Sequence, residues 1–145
     1  MNAKVTLEQK QDFQFAIRFG EGIAPLHADE APPAGGGTGP TPDQLLAAAV
    51  GNCLSASLLF ALRKFKQAPE PIRAEVEAIE GRNEQNRIRI QRIAVKLTLG
   101  VPAARLEHLD RVLAQFEQFC TVTESVRRGI PVDVEVFDAT GAKLK

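Results

Sequence analysis

Cysteine is nearly absent: Cys53 and Cys120 are the only two in 145 residues. So small a supply excludes the disulfide-dense scaffolds of small secreted domains and leaves three roles for the thiols: buried spectators, metal ligands or redox groups. Histidine is as scarce. His27 and His108 show no spacing to the cysteines or to each other that suits a tetrahedral site, and there is no CxxC pair, so no metal is expected. They read as a strand-end residue and a helix-surface residue. Net charge is missing too, with 18 basic residues against 18 acidic ones. No global field draws the chain to nucleic acid or an anionic membrane, and no local patch stands out. The start, Met1-Asn2-Ala3-Lys4-Val5, lacks the apolar run of a signal peptide, and no stretch is expected to reach the roughly 20 apolar residues of a membrane span. The expected location is therefore cytoplasmic. With no internal repeat and one Gly/Pro stretch as the only composition break, residues 1–145 read as a single domain able to bury a core.

What is present alternates between two periods. Phe13, Phe15, Ile17 and Phe19 share one face of a strand, which leaves Arg18 on the other, and Ile23 to Asp29 reads as the returning strand after Gly20-Glu21-Gly22. The run from Ala31 to Pro40 holds neither helix nor ladder and reads as a flexible lid or a connector. Thr41-Pro42-Asp43-Gln44 then carries a Thr cap, a first-turn Pro, an acid at the positive dipole end and a capping-box Gln. The helix it starts runs through Cys53 to about Lys66, and its many small residues predict burial on more than one side. Ile72 to Ile79 and Ile88 to Leu99 alternate as a hairpin around a turn at Gly81 to Asn86, with a slip near Gln91-Arg92 that reads as a bulge. Pro102 opens a second helix carrying Leu106, Leu109, Val112, Leu113 and Phe116 to near Phe119. Thr121-x-x-Glu124 reads as another capping box, starting a short helix that Gly129 stops, and Ile130 to Phe137 closes as a strand. This order predicts an α+β domain with helices packed on antiparallel sheet.

The thiols differ in setting. Cys120 precedes the short helix, where unpaired N–H groups favour a thiolate, and lies near Arg127 and Arg128 in sequence. Cys53 is mid-helix; it reads either as a small core residue or as a nucleophile that needs a cation from elsewhere. Asp43, at the start of the same helix, either offsets the dipole or orients an arginine. Ten positions separate it from Cys53, about 15 Å along a straight helix. Cooperation would take a break in the helix, a long arginine or a second subunit. Phe60, Phe65, Phe116 and Phe119 read as core or as the wall of an apolar substrate pocket.

Two segments carry a family resemblance. Gly39-Pro40-Thr41-Pro42-Asp43-Gln44-Leu45-Leu46, leading to Cys53, resembles the G-P-x-P-x-x-L-L run before the peroxidatic cysteine of the OsmC/Ohr proteins. Cys120-Thr121-Val122-Thr123, with Arg128-Gly129-Ile130-Pro131-Val132 after it, resembles that family's second-cysteine segment. The resemblance runs loosely from Phe13 to Val136. It implies an OsmC-like fold with a long central cysteine-bearing helix, in an intertwined homodimer with the site at the subunit interface. It also implies a thiol-dependent peroxidase for organic hydroperoxides. Cys53 would be the nucleophile and Cys120 the resolving thiol, with no bound cofactor and with an external dithiol such as dihydrolipoamide, supplied by a lipoylated protein, as reductant. The catalytic carboxylate of the family, normally glutamate, falls on Asp43, and Arg18 is the candidate for its arginine, although Ile17-Arg18-Phe19-Gly20 departs from the Gly-rich arginine motif of the hydroperoxide-resistance branch. Two other readings remain on the same fold: a binding or stress protein without turnover, and a thiol-disulfide exchange protein.

Overall fold

The strongest helix signal in the sequence becomes the spine of the molecule. In the computed structural model, which describes residues 1–145, helix α1 spans Pro42–Lys64. The Gln44 N–H donates to Thr41 Oγ1 at 3.3 Å and the Thr41 N–H donates to Gln44 Oε1 at 2.9 Å, so the capping box closes as expected. Ala47, Val50, Gly51, Leu54, Leu58 and Leu62 are buried. Spacings of three and four put them in one stripe, and α1 packs against both the strands and the later helices, while Ala48, Ala49, Ala56 and Phe60 are exposed in the single chain. α1 is also long and apolar enough to cross a membrane by length and composition, contrary to expectation. Here it serves as a core helix.

Two antiparallel sheets accompany α1. Strands β1 (Thr6–Gln11), β2 (Gln14–Arg18) and β3 (Leu26–Ala28) pair in that order, and β4 (Arg73–Arg82) pairs with β5 (Ile88–Thr98). β1 was not expected: both of its faces are wet, so it carries no apolar alternation. β2 is shorter than its pattern suggested, with Ile17 buried and Phe13 and Phe19 exposed. The bulge falls where the alternation slips, since Ile79 faces Arg92 and Glu80 faces Ile90, leaving Gln91 unmatched. α1 packs on this hairpin, chiefly on β4.

The Gly/Pro segment is pinned. The carboxylate of Asp29, 2% exposed, accepts the N–H groups of Glu30, Gly36 and Thr38 and the Thr38 hydroxyl at 2.8 to 3.2 Å. The Thr38 donors, chiefly its backbone N–H, hold the Asp29 carboxyl below its usual range.

Three other expectations are corrected. The second helix is broken into a 3-10 turn at Ala103–Arg105, helix α2 (Leu109–Gln115) and a 3-10 turn at Phe116–Phe119. His108 interrupts it with φ +59, and its ring stacks on Phe65 with centroids 4.8 Å apart. Helix α3 spans Thr121–Arg128 and stops at Gly129, φ +72. Its cap, however, is Cys120 rather than the Thr121 box. Ile130 to Phe137 forms no strand; only its end is paired, through backbone hydrogen bonds of Val136 with Leu144 and Lys145 and a bridge from Phe137 to Lys143, and Ile130, Val132, Val134 and Val136 are exposed. The alternation is that of a strand, but no strand of this chain lies beside it. The two sheets and three helices make the α+β architecture expected.

The chain under-buries itself. It exposes 11153 Å², where a self-contained protein of its 15.7 kDa would expose about 7,300 Å².

Candidate redox site

The broken second helix and the turn at Phe116–Phe119 deliver Cys120 to the flank of α1, opposite Cys53. The two Sγ atoms are 2.7 Å apart, with both thiols free. Cys120 is 0% exposed and belongs to the main core cluster, whereas Cys53 is half-buried at the edge of that cluster. Of the two residues only Cys53 keeps any exposed surface.

Cys120 caps α3 in an extended conformation, φ −82 and ψ 99. Its side chain makes no capping hydrogen bond, so the sulfur lies beside the first turn without replacing a capping oxygen. The Val122 and Thr123 N–H groups favour the charged form of Cys53, and that of Thr123 favours the charged form of Cys120 as well. The Thr123 hydroxyl, itself buried, is 3.1 Å from Cys120 Sγ. Ser57, one turn beyond Cys53 on α1, adds a second hydroxyl.

These groups divide the charge unequally. Burial pushes the Cys120 thiol up, yet donation from the Cys53 thiol, the Thr123 hydroxyl and N–H and the Ser57 hydroxyl outweighs it, and Cys120 ends below its ordinary value. Burial, and next the adjoining Cys120, push Cys53 up despite the N–H groups of Val122 and Thr123. The pair thus gives up its first proton with the charge resting on Cys120. Thr123→Val should move that first ionisation to higher pH and lower the thiolate fraction at neutral pH roughly tenfold, because a hydrogen bond to a charged group is lost. Thr123→Ser should restore it. Ultraviolet thiolate absorbance against pH measures both, and an unmoved midpoint in Thr123→Val would contradict this division of charge.

The other sequence-predicted residues stand apart from the sulfurs within one chain. α1 runs unbroken from Pro42 to Lys64, so no break brings Asp43 to Cys53, and the separation stays about 15 Å. Asp43 instead meets Glu80 of β4, whose carboxyl it raises by hydrogen bonding and charge repulsion. Arg18 is exposed at the end of β2, opposite Thr6, where its charge acts on Glu8. Arg127 donates to Glu117 at 2.8 Å and also to Glu124, so its charge is committed. Neither Asp43 nor Arg18 is among the groups acting on the sulfurs.

Sequence reasoning missed Ser57 and Thr123 as partners of the thiols. Both were within reach of it: Ser57 is at i+4 from Cys53 on one helix face, and Thr123 is the third residue of the helix that Cys120 caps. No three His, Cys, Asp or Glu side chains converge in a way that could hold a metal ion.

Beside the sulfurs lie two hollows. One, of about 560 Å³, lies between α1, the bulge of β5 and α3, and Thr123 lines it. The other, of about 260 Å³, opens next to Ser57 and gathers Phe60, Phe65, Phe116 and Phe119 in one wall. Phe116 belongs to the core cluster and Phe65 packs against it.

Solved structures share this fold. An OsmC-like protein of unknown function from Vibrio cholerae superposes with a TM-score of 0.70 at 14% identity, over 86% of this chain and 93% of that one. An organic hydroperoxide resistance protein OsmC of Legionella pneumophila gives 0.65 at 14%, over 88% and 90%. The organic hydroperoxide resistance protein OhrB of Bacillus subtilis gives 0.57 at 19%, over 88% and 91%. At such identities the likeness shows the fold. No curated protein matches the sequence. The family model described as OsmC-like protein matches residues 35–135, a span that takes in the capped helix, both cysteines and the Arg128-Gly129-Ile130-Pro131-Val132 close, and the chain belongs to the OsmC-like protein family.

Proposed function

We propose that the protein is a cysteine-based peroxidase that reduces organic hydroperoxides to alcohols, with Cys53 as the attacking thiol and Cys120 as the resolving one. The observation that carries this reading is the 2.7 Å approach of the half-buried cysteine's sulfur to that of the buried one. The resemblance to hydroperoxide resistance proteins supports it.

The chemistry follows from the charge on the pair. A proton passes from Cys53 to Cys120 along the contact between the sulfurs, which moves the thiolate to the more exposed residue, where the Val122 and Thr123 N–H groups favour it. The Cys53 thiolate attacks the distal peroxide oxygen and the O–O bond breaks. The departing alkoxide takes a proton and leaves as the alcohol, and Cys53 becomes a sulfenic acid. Cys120 then attacks the Cys53 sulfur and expels water, which closes a disulfide. An external dithiol of the dihydrolipoamide type, carried by a lipoylated protein, reopens it by two exchanges and is oxidised to its own disulfide. Such a cycle suits a reducing compartment such as the cytoplasm.

The working unit in this reading is a homodimer. The surplus exposed area, the bare apolar face of α1 and the unpaired alternating segment from Ile130 to Val134 each call for a covering chain. Asp43 and Arg18 enter as the carboxylate and cation of the family's arginine clamp, reaching a sulfur across the subunit interface. One observation favours a second reading, a thiol-disulfide exchange protein: no cation acts on Cys53 within the chain. Steady consumption of cumene hydroperoxide by the reduced protein with dihydrolipoamide is the expected result. No turnover, with both thiols reduced, would overturn the peroxidase and leave the exchange reading.

A further inference from the structure

Reopening a Cys53–Cys120 disulfide leaves a negative charge on one of the two sulfurs. The sulfur that is attacked bonds to the incoming thiolate, and the other departs with the electron pair of the S–S bond. Of the two residues only Cys53 keeps exposed surface, which puts the attack on Cys53 and the departing charge on Cys120. Cys120 is 0% exposed, and a thiolate formed there without a hydrogen-bond donor would be costly.

No cation acts on Cys120. Arg127, seven residues on, is held by Glu117 and Glu124. The donors that remain are neutral: the Thr123 hydroxyl and N–H and the Ser57 hydroxyl. Burial separates the two hydroxyls. Ser57 is half-buried and lines an open hollow, where water can stand in for it. Thr123 is 7% exposed, and the contact with Cys120 Sγ at 3.1 Å is the only hydrogen bond its hydroxyl makes. A hydroxyl accepts from a thiol and, by turning about its C–O bond, donates to a thiolate. It can therefore follow the sulfur through a change of charge while the backbone stays in place.

We infer that Thr123 is a catalytic residue of disulfide reduction, donating its hydroxyl hydrogen to Cys120 Sγ as a dithiol displaces that sulfur from Cys53. In the first exchange a thiolate of the dithiol bonds to Cys53 Sγ, the S–S bond breaks and its electron pair stays on Cys120. In the second, the other thiolate of the dithiol attacks its own partner sulfur, the bond to Cys53 breaks, and Cys53 leaves as a thiolate. The dithiol is oxidised to its disulfide, both cysteines are reduced, and the two protons that the dithiol gives up balance the two thiolates. This role accounts for a resting charge that favours the buried thiol: the donors around Cys120 serve its departure. It rests on the Cys53–Cys120 disulfide, which the peroxidase and exchange readings share, and not on a peroxide as the oxidant.

Oxidation with diamide supplies the disulfide without peroxide. A brief pulse of 2-mercaptoethanol, quenched in acid and mapped after pepsin digestion, should place the adduct on Cys53 and leave Cys120 free. At a pH above the first ionisation of the pair, the disulfide of Thr123→Val should be about tenfold harder to reduce, because a hydrogen bond to a charged group is lost. In a redox titration that is about 30 mV toward a more negative potential, and reduction by dihydrolipoamide should slow several-fold. Thr123→Ser should restore both. The gap in potential should close as the pH falls below the first ionisation, where Cys120 is protonated in both proteins, whereas a packing defect would persist at every pH. Thr123→Ala is a second hydroxyl-free variant should Thr123→Val fail to fold, and the adduct is mapped on the wild type. An adduct on Cys120, a gap that persists at low pH, or a disulfide as easily reduced without the hydroxyl as with it would overturn the role. These shifts in a protein that consumes no hydroperoxide would keep Thr123 and refute the peroxidase, and hydroperoxide turnover with the adduct on Cys120 would do the reverse.

Discussion

Cys53→Ser is expected to abolish hydroperoxide consumption, by roughly a thousandfold or more, while Cys120→Ser keeps the first reduction and loses the cycle. The two sulfurs touch each other, but their surroundings give them different work. Cys53 is half-buried and Cys120 is 0% exposed, so the proposed first contact with peroxide falls on Cys53. A serine hydroxyl at position 53 is a far weaker nucleophile than a thiolate at neutral pH. With serine at 120, Cys53 should still release stoichiometric alcohol and stop as a sulfenic acid, which a dimedone-type reagent traps. Without Cys120, dihydrolipoamide-driven turnover should fall, and further peroxide should carry Cys53 on to the sulfinic acid. Stopped-flow peroxide consumption together with mass spectrometry of Cys53 checks both variants. Full cycling by Cys53→Ser would reverse the assignment and make Cys120 the nucleophile, the thiol that electrostatics alone favours.

The second large effect concerns assembly. Val132→Glu with Val134→Glu should convert a tight dimer into weakly associating or aggregating chains. Both valines are exposed in the single chain, at 80% and 58%, on a segment whose alternation suits a strand but which has no neighbour. If a second copy covers them, each contributes about 1.5 to 3 kcal/mol by burial. Losing both weakens association by roughly two to four orders of magnitude, and two buried carboxylates weaken it further. Sedimentation equilibrium should show twice the chain mass for the wild type across the micromolar range and a concentration-dependent fall toward the monomer for the variant. A wild-type protein that stays monomeric throughout would contradict the homodimer and, with it, the clamp reaching across the interface.

The same segment shows what the sequence could reveal. Its period-2 pattern predicted a strand; a strand also needs a partner, which intrachain periodicity cannot supply. β1 failed for the opposite reason: with both faces in water, Thr6 to Gln11 has no apolar side to betray it. The second helix carried a sound 3.6-residue pattern that tertiary packing overrode, with His108 turned left-handed against Phe65. Local chemistry was readable wherever one motif sufficed, as at the Thr41 capping box, the Gln91 bulge and the Gly129 stop. At the site, the sequence marked both thiols and the favourable helix start beside Cys120. Their mutual approach depends on how α1 and α3 pack, and no spacing in the chain encodes it. Thr121 drew the capping-box reading, but the helix starts one residue earlier than that box implies, with Cys120 at the cap position and no side-chain bond closing the cap.

One measurement bears most directly on the Cys53–Cys120 pair: the covalent state of the reduced protein after a stoichiometric dose of organic hydroperoxide, with no dithiol added. Intact mass and peptide mapping should show the loss of two hydrogens and one linked peptide joining Cys53 to Cys120, which dihydrolipoamide then reverses. Two thiols that remain free while the peroxide persists, or a Cys53 sulfinic acid beside an untouched Cys120, would contradict a working redox pair.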